Sequence, residues 1–378
     1  MARATADKMG GGGRAWLVGV FGVFLALYGL GGVTAAKVSG PCSNCHTMHN
    51  SQNGQPVVAA GAQPTLLNAT CVGCHSSATA ETKITANGSV IPIVYNTVEP
   101  TTPLAGGNFY WVTKNSNRGH NCLSIPGMVN DPDLDGKTPG QPGGTGGDCE
   151  RCHARIVDCT SCHAPKHHAG SGSAVVGKND GWYRFLNSSL HGHDLAGVKG
   201  IEDSDWQYTM SASDHNEYNG TNNPLGFDDN SMSNYCGGCH YMFHGAQNTD
   251  SDPVSWFCDN KSPWYLHPTH LALSQTAAGK EYHLYNTSDD ATAGSFNPDV
   301  PVARNPTRLS GMAASSSQVY VAAGAAQGDQ VMCLSCHRAH GSPYADMLRW
   351  DYQGMSAHNA GGATGSGCFV CHTAKDNT

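Results

Sequence analysis

The chain has 378 residues, with 29 acidic against 21 basic side chains and a formal charge of −8. That acidic balance argues against a nucleic-acid partner and favours cationic partners or metal ions. Only 39% of residues are hydrophobic and 8% aromatic, while 47 are glycine, so the chain is a poor builder of a large side-chain core.

The N-terminus reads as a signal peptide over residues 1–36. Arg3, Lys8 and Arg14 form a basic start, Ala15–Leu30 is an apolar run, and GGVTAA supplies small residues for cleavage near Ala36. The apolar run is short for a membrane span, and an uncleaved anchor is the alternative. No cysteine follows the cleavage site, which argues against a lipoprotein, and no twin-arginine export signal is present. Removing the segment takes away three basic residues and Asp7, moving the formal charge from −8 to −10. Residues 37–378 then form a single mature domain.

Seven Cys-x-x-Cys-His pentads follow: Cys42, Cys45, His46; Cys71, Cys74, His75; Cys149, Cys152, His153; Cys159, Cys162, His163; Cys236, Cys239, His240; Cys333, Cys336, His337; and Cys368, Cys371, His372. Histidine is 20 of the 378 residues, so seven chance matches in seven have a probability on the order of one in a billion when positions are counted as independent. A zinc ribbon needs the two cysteines but gives the next residue no special role. A covalent c-type haem needs all three, two thiols for the vinyl groups and an imidazole for the iron. The spacing therefore predicts seven covalently attached c-type haems, with structural zinc as the lesser alternative. Export agrees with this, because such haems are attached outside the cytoplasm.

Seven haems in about 342 mature residues leave about 49 residues for each. The expected fold is a multihaem cytochrome c: mostly irregular coil with short helices at the pentads and few strands, wrapped around closely packed haems. The pentads have no fixed period, which excludes a regular solenoid. Residues 80–104 contain a β-branched run at Val90–Val94 interrupted by Pro92, consistent with a small hairpin at an edge. Asp131–Gly136 matches the first half of a calcium loop, but Pro142 stands where the closing Glu belongs, so calcium is a weak expectation beside an ordinary turn. GKTPGQPGGTGGD at 136–148 reads as a loop. Cys122 and Cys258 lie outside the pentads, and a disulfide or two buried thiols are both open.

Each iron needs a second axial ligand, and thirteen histidines lie outside the pentads. Supply exceeds demand, so histidine on both faces of every iron is expected. In CHTMH, CHRAH, CHYMFH and CHAPKHH a further histidine stands three to five residues after the first. Three residues span at most about 10 Å, too little to pass around a macrocycle to its other face. Such a histidine reaches instead for the iron of a neighbouring haem. Saturated irons leave no open position for a substrate, so the haems would carry electrons.

PCSNCHTMHNSQ, GGNFYWV…RGHN, MSNYCGGCHYMFH, VMCLSCHRAHGSPYADMLRWDY and GCFVCHTAKD together resemble the outer-surface multihaem cytochromes of metal-reducing bacteria, the OmcS/OmcE type, across most of the mature chain. The resemblance implies polymerisation into extracellular filaments with a continuous haem chain. It implies that His49 ligates a haem of the adjacent subunit. It also implies distal ligands at His120, His167 or His168, His244, His267 and His340, with His283 a weaker choice. The family pattern has six haems. The pentad at Cys149–His153 is the extra one, and His191, His193, His215, His270 and His358 compete as its distal ligand.

Three functions are thus expected in order. The first is a filamentous electron carrier at the cell surface, taking electrons from envelope donors to external acceptors such as metal oxides or other cells. The second is a monomeric periplasmic carrier. The third is a multihaem reductase, which would need an open iron; such sites are often marked by Cys-x-x-Cys-Lys, and that motif does not occur in this sequence.

Overall fold

The computed structural model describes residues 38, 40–59, 61–86, 88–129, 158–168, 183–186, 197–221, 230–240, 267, 269, 272–273, 285, 293–321, 328–355 and 366–372. All of these fall in one compact unit, Thr34–Thr378. The segment expected to be a signal peptide, the weakly expected calcium loop, the pentad at Cys149–His153, and His191, His193, His244, His270, His283, His358 and Cys258 lie outside the described residues.

Most of the described backbone is turn and coil. Helices are short, and six of those described coincide with pentads: Cys42–Asn44, Cys71–His75, Cys159–Ser161, Met232–His240, Cys333–Cys336 and Gly367–Val370. The sequence dictates this locally. Thr70 and Asp158 stand just before their pentads, and their side-chain oxygens accept the backbone N–H groups of Gly73 and Thr160. Such N-caps start a helical turn. The turn then places residues i, i+3 and i+4 on one face, which brings both thiols and the imidazole of a pentad to the same side.

Strands are equally short. β1 (Ser51–Gln52) and β2 (Gln55–Pro56) pair antiparallel; β3 (Ser76–Ser77) pairs parallel with β6 (Tyr95–Asn96). β4 (Lys83–Ala86) and β5 (Ser89–Pro92) form the expected hairpin, with Gly88 at φ 82° in its turn and Pro92 ending the second strand. The largest sheet has three strands, in order β10 (Ala303–Arg304), β8 (Glu217–Asn219), β7 (Gly200–Ile201). β11 (Gln318–Tyr320) pairs with β9 (Ala293–Ser295).

Three modest apolar clusters replace a single core. One gathers Tyr285, Phe296, Val302, Val319 and Val370, a second Tyr183, Val198, Tyr218, Met332 and Leu334, and a third Tyr95, Phe109, Val112 and Ile125. Each has a pentad cysteine against it: Cys371, Cys236 and Cys159 respectively. Apolar packing and haem attachment therefore occupy the same places.

The middle of the chain is organised by buried charge. Arg304 on β10 pairs with Glu217 on β8 and, at 2.9 Å, with Asp329, and all three are fully buried. Arg308 reaches Asp329 from the rim at 2.6 Å. Burial pushes Glu217 up, but His215 and Arg304 outweigh it and hold the carboxylate below its ordinary range.

Candidate haem centres

Ten of the described histidines come together in five pairs. Ring centres lie 6.0 Å apart for His46 and His168, 6.0 Å for His75 and His167, 6.1 Å for His240 and His120, 5.9 Å for His163 and His340, and 6.2 Å for His372 and His267. Every pair joins one pentad histidine to one outside the pentads. Two imidazoles on opposite faces of one metal, each bonded at about 2 Å with its nitrogen roughly 1.1 Å from the ring centre, have centres about 6.2 Å apart. The five separations fall within a few tenths of an ångström of that value. The rings thus stand at the spacing of two axial ligands with an iron between them.

The other ring nitrogen is engaged in the way this requires. Nδ1 of His46 bonds the Thr65 carbonyl (3.0 Å), His75 that of Pro92 (2.8 Å), His120 that of Ala339 (2.8 Å), His337 that of Asp346 (2.9 Å), and His163 that of Phe185. A carbonyl can only accept, so Nδ1 carries the proton and Nε2 keeps its lone pair for a metal. Burial, followed by the neighbouring His75 and Arg184 charges, pushes His167 down to about 4; burial and then His163 push His340 down to about 3. Burial also lowers His75, His120 and His163. Neutral imidazole is the form that ligates.

The donor set fits haem on chemical grounds. Donors arrive two at a time, beside two thiols, and a porphyrin supplies the iron's remaining four ligands. Among the described residues no group of three or more His, Cys, Asp and Glu converges as a bare-metal site would require.

The backbone acceptors were invisible in the sequence. Thr65 and Asp346 present their carbonyls from left-handed turns, at φ 56° in both cases, each followed by a second left-handed residue, Leu66 or Met347. The pentad histidine then bridges the next residue but one, His46 to Leu67 and His337 to Leu348. The same device thus holds two pentads far apart in the chain. Pro92 supplies its carbonyl from the end of the β4–β5 hairpin.

Single segments serve several centres. Phe185 packs edge-on against both His75 and His167, while its carbonyl holds His163. In CHRAH, His337 belongs to one pentad, Ala339 orients His120, and His340 faces His163, so four residues touch three centres. Both His167 and His168 are paired, where the sequence had one or the other.

Some candidates are placed differently. His49 is exposed and left-handed (φ 56°) and pairs with no imidazole among the described residues. His337 likewise has no imidazole opposite it among the described residues. His215 is committed elsewhere. Its Nδ1 meets the Ser211 carbonyl and its Nε2 meets Glu217, both at 3.1 Å, and its ring stacks on Phe296. Nε2 also lies 3.4 Å from Arg304 Nη2, so both nitrogens are held within the buried charge network, and with 1% of its surface exposed the ring pairs with no other imidazole among the described residues. Cys122 is buried with Sγ 3.3 Å from Ser124 Oγ.

Among the described residues, pentads in helical turns set five pentad imidazoles at metal spacing from a second imidazole, the arrangement expected of a multihaem c-type cytochrome. The family model described as Doubled CXXCH motif matches residues 324–377, which span the last two pentads. The chain is similar to the C-type cytochrome OmcS of Geobacter sulfurreducens, at 26% identity over 82% of this chain and 78% of that protein. Two solved structures are also similar: the Outer Membrane Cytochrome S filament from Geobacter sulfurreducens, at 20% identity and TM-score 0.47 over 91% of this chain and 93% of that one, and the OmcS nanowires from the same organism, at 21% identity and TM-score 0.49 over 91% and 92%.

Proposed function

We propose that this chain is an exported electron carrier holding seven c-type haems, each iron bound by two histidines, and that copies polymerise into a conducting extracellular filament. The observation that carries the reading is the set of five imidazole pairs at 5.9–6.2 Å, each joining a pentad to a histidine outside the pentads. Irons with both axial positions taken have no room for substrate and exchange electrons only. Residues 1–36 direct export, as an oxidising site of haem attachment requires.

The pairs suggest an order for the electron path. The centres of His46–His168 and His75–His167 adjoin through consecutive residues. Phe185 links the second to His163–His340, and Ala339 with His340 links that to His240–His120. His337 follows in the same segment. His49 thus sits beside the first centre of this order and His337 near the far end. A histidine from one copy and an iron from the next complete each other: His49 takes the sixth position on the iron held at His337. The relative OmcS is described as forming filaments and nanowires, which supports the same reading here. Envelope proteins supply the electrons, and external metal oxides or other cells receive them.

The test is electron microscopy of material sheared from cells producing the wild type or His49→Ala. Filaments in the wild type that vanish or shorten in the variant, together with a new high-spin signal from one haem, support the proposal. Compact particles in both, recovered from the periplasm, overturn the polymer and leave a monomeric carrier.

A further inference from the structure

A carboxyl group is buried one loop away from a paired histidine. Asp203 is 6% exposed and belongs to a closed ring of hydrogen bonds. Its carboxylate accepts the Gln207 backbone N–H, its own N–H donates to Asn216 Oδ1 at 2.8 Å, and Asn216 Nδ2 donates to Gln207 Oε1 at 3.0 Å. Trp206 and Gln207 take left-handed φ values of 58° and 66° in this turn, a backbone cost that persists where the surroundings over-determine a site. One donor is left over: Gln207 Nε2 is buried without a partner, on a residue 1% exposed. A buried amide N–H calls for an acceptor, and in a ring that includes a carboxyl group a water molecule suits it.

The same turn touches a candidate haem centre. The Trp206 carbonyl accepts the Ala105 N–H at 3.1 Å, and the carbonyl of the next residue, Gly106, accepts the His340 N–H at 2.7 Å. Gly106 lies so close that an added Cβ would stand 3.2 Å from His340 Nδ1. His340 in turn faces His163.

The charges around Asp203 favour a proton on it. Asp205 meets it side chain to side chain, and Asp214 adds a second negative charge. The cations nearby are committed elsewhere. Arg184 pairs with Glu202 at 2.7 Å, Lys83 with Asp205 at 2.9 Å, and His215 with Glu217 at 3.1 Å. Arg338 and Arg349 donate to the carbonyls of Leu104 and Ala105, across the loop. The buried phenols of Tyr183 and Tyr218 complete the surroundings. Burial, followed by Asp205, raises the Asp203 carboxyl to about 6. The Asp205 side chain is 15% exposed, so it joins the buried carboxyl to solvent.

We propose that Asp203 is a redox-linked proton site, taking up one proton when the iron between His163 and His340 is reduced and releasing it on oxidation. This rests on the haem reading above. The ferric iron gains one electron from a neighbouring haem, and the Asp203 carboxylate gains one proton from solvent by way of Asp205. The net charge of the region is unchanged. A negative charge added nearby favours the protonated carboxyl, and the coupling is reciprocal, so the proton raises the potential of that haem.

The test uses the haem-loaded full chain, titrated potentiometrically between about pH 5 and pH 8. The share of one haem should fall in potential as pH rises above about 6, by up to about the 59 mV per pH unit that a tenfold change means for one electron. Asp203→Asn keeps an acceptor for the Gln207 N–H and cannot ionise. With haem number unchanged by intact mass, it should remove that one share of the slope and leave the haem at its low-pH potential. Any slope from haem propionates stays in both proteins. Asp205→Asn, which takes away the neighbouring charge, should move the fall to lower pH. An Asp203→Asn protein that keeps the wild-type slope overturns the proposal and leaves Asp203 as a brace for the turn. If that variant loses haem, Asp205→Asn decides, and a fall at the wild-type pH overturns the proposal. Reduced-minus-oxidised infrared spectra near neutral pH read the proton itself. The C=O stretch of a protonated carboxyl should appear on reduction and be absent from Asp203→Asn; its survival there overturns the proposal. A wild type without low-spin haem signals would instead count against the haem reading.

Discussion

His167 and His168 are consecutive in the chain and face different partners: His167 lies 6.0 Å from His75, and His168 lies 6.0 Å from His46. One peptide bond thus separates two imidazoles that would serve different irons under the proposed function, which would hold those two centres close.

The consequence is additive. His167→Ala and His168→Ala should each open one iron, and the double variant two. Carbon monoxide binding to the reduced protein measures this: one equivalent for each single variant, two for the double, against none in a saturated wild type. Equal binding in single and double variants would show that the two histidines serve the same iron.

The ring planes differ along the series. The His46–His168 rings are 15° from parallel, and those of His267–His372 are 85° from parallel. The relative orientation of axial imidazoles sets the splitting of the ferric iron d orbitals. Low-temperature electron paramagnetic resonance should therefore contain both a rhombic low-spin signal from near-parallel pairs and a large-gmax signal from near-perpendicular ones. His168→Ala should remove intensity from the rhombic set alone.

Arg304 should be the most sensitive non-haem residue. Arg304→Met leaves Glu217 with His215 and Asp329 with Arg308 but removes the cation they share, and breaking a buried pair in this way costs about 3–5 kcal/mol. Denaturant unfolding of the haem-loaded protein measures it. His215→Gln, in the same network, should lower stability while leaving the haem number and the low-spin spectrum intact. A high-spin signal in that variant would restore His215 as an axial ligand.

Asp203 and Asp205 give stability a pH dependence of two signs. Burial, and then the neighbouring Asp205, push Asp203 up to about 6. Burial works against Asp205 too, but the hydrogen bonds from Thr209 and Lys83 outweigh it and hold Asp205 at about 2. A raised carboxyl binds its proton more tightly when folded, so its contribution is present at low pH and is lost as pH rises through 6. A lowered one contributes above its unfolded value near 4 and loses it as pH falls toward 2. The unfolding temperature should therefore rise by a few degrees from pH 7 to pH 5 and fall below pH 4. Asp203→Asn should abolish the rise and keep the fall.

Much of this was written in the residue types. Two thiols and an imidazole at fixed spacing have one common chemistry, so the pentads declared the haems, and the haems explained a glycine-rich chain with little core. The β-branched run at Val90–Val94 with Pro92 in it likewise announced the small hairpin. Which distal histidine meets which pentad was not written there. His340 meets His163 rather than its own neighbour His337, and His120 meets His240, because coil and short turns bring distant segments together without any periodic signal. The carbonyls of Thr65, Phe185 and Asp346 that orient the rings carry no side-chain signature at all. His215 could not be told from a ligand until Glu217, Ser211 and Phe296 were seen around it. Composition and spacing determined the cofactor; only the tertiary structure decided the pairing, because an axial bond needs two imidazoles about 6 Å apart in space, and sequence distance does not measure that.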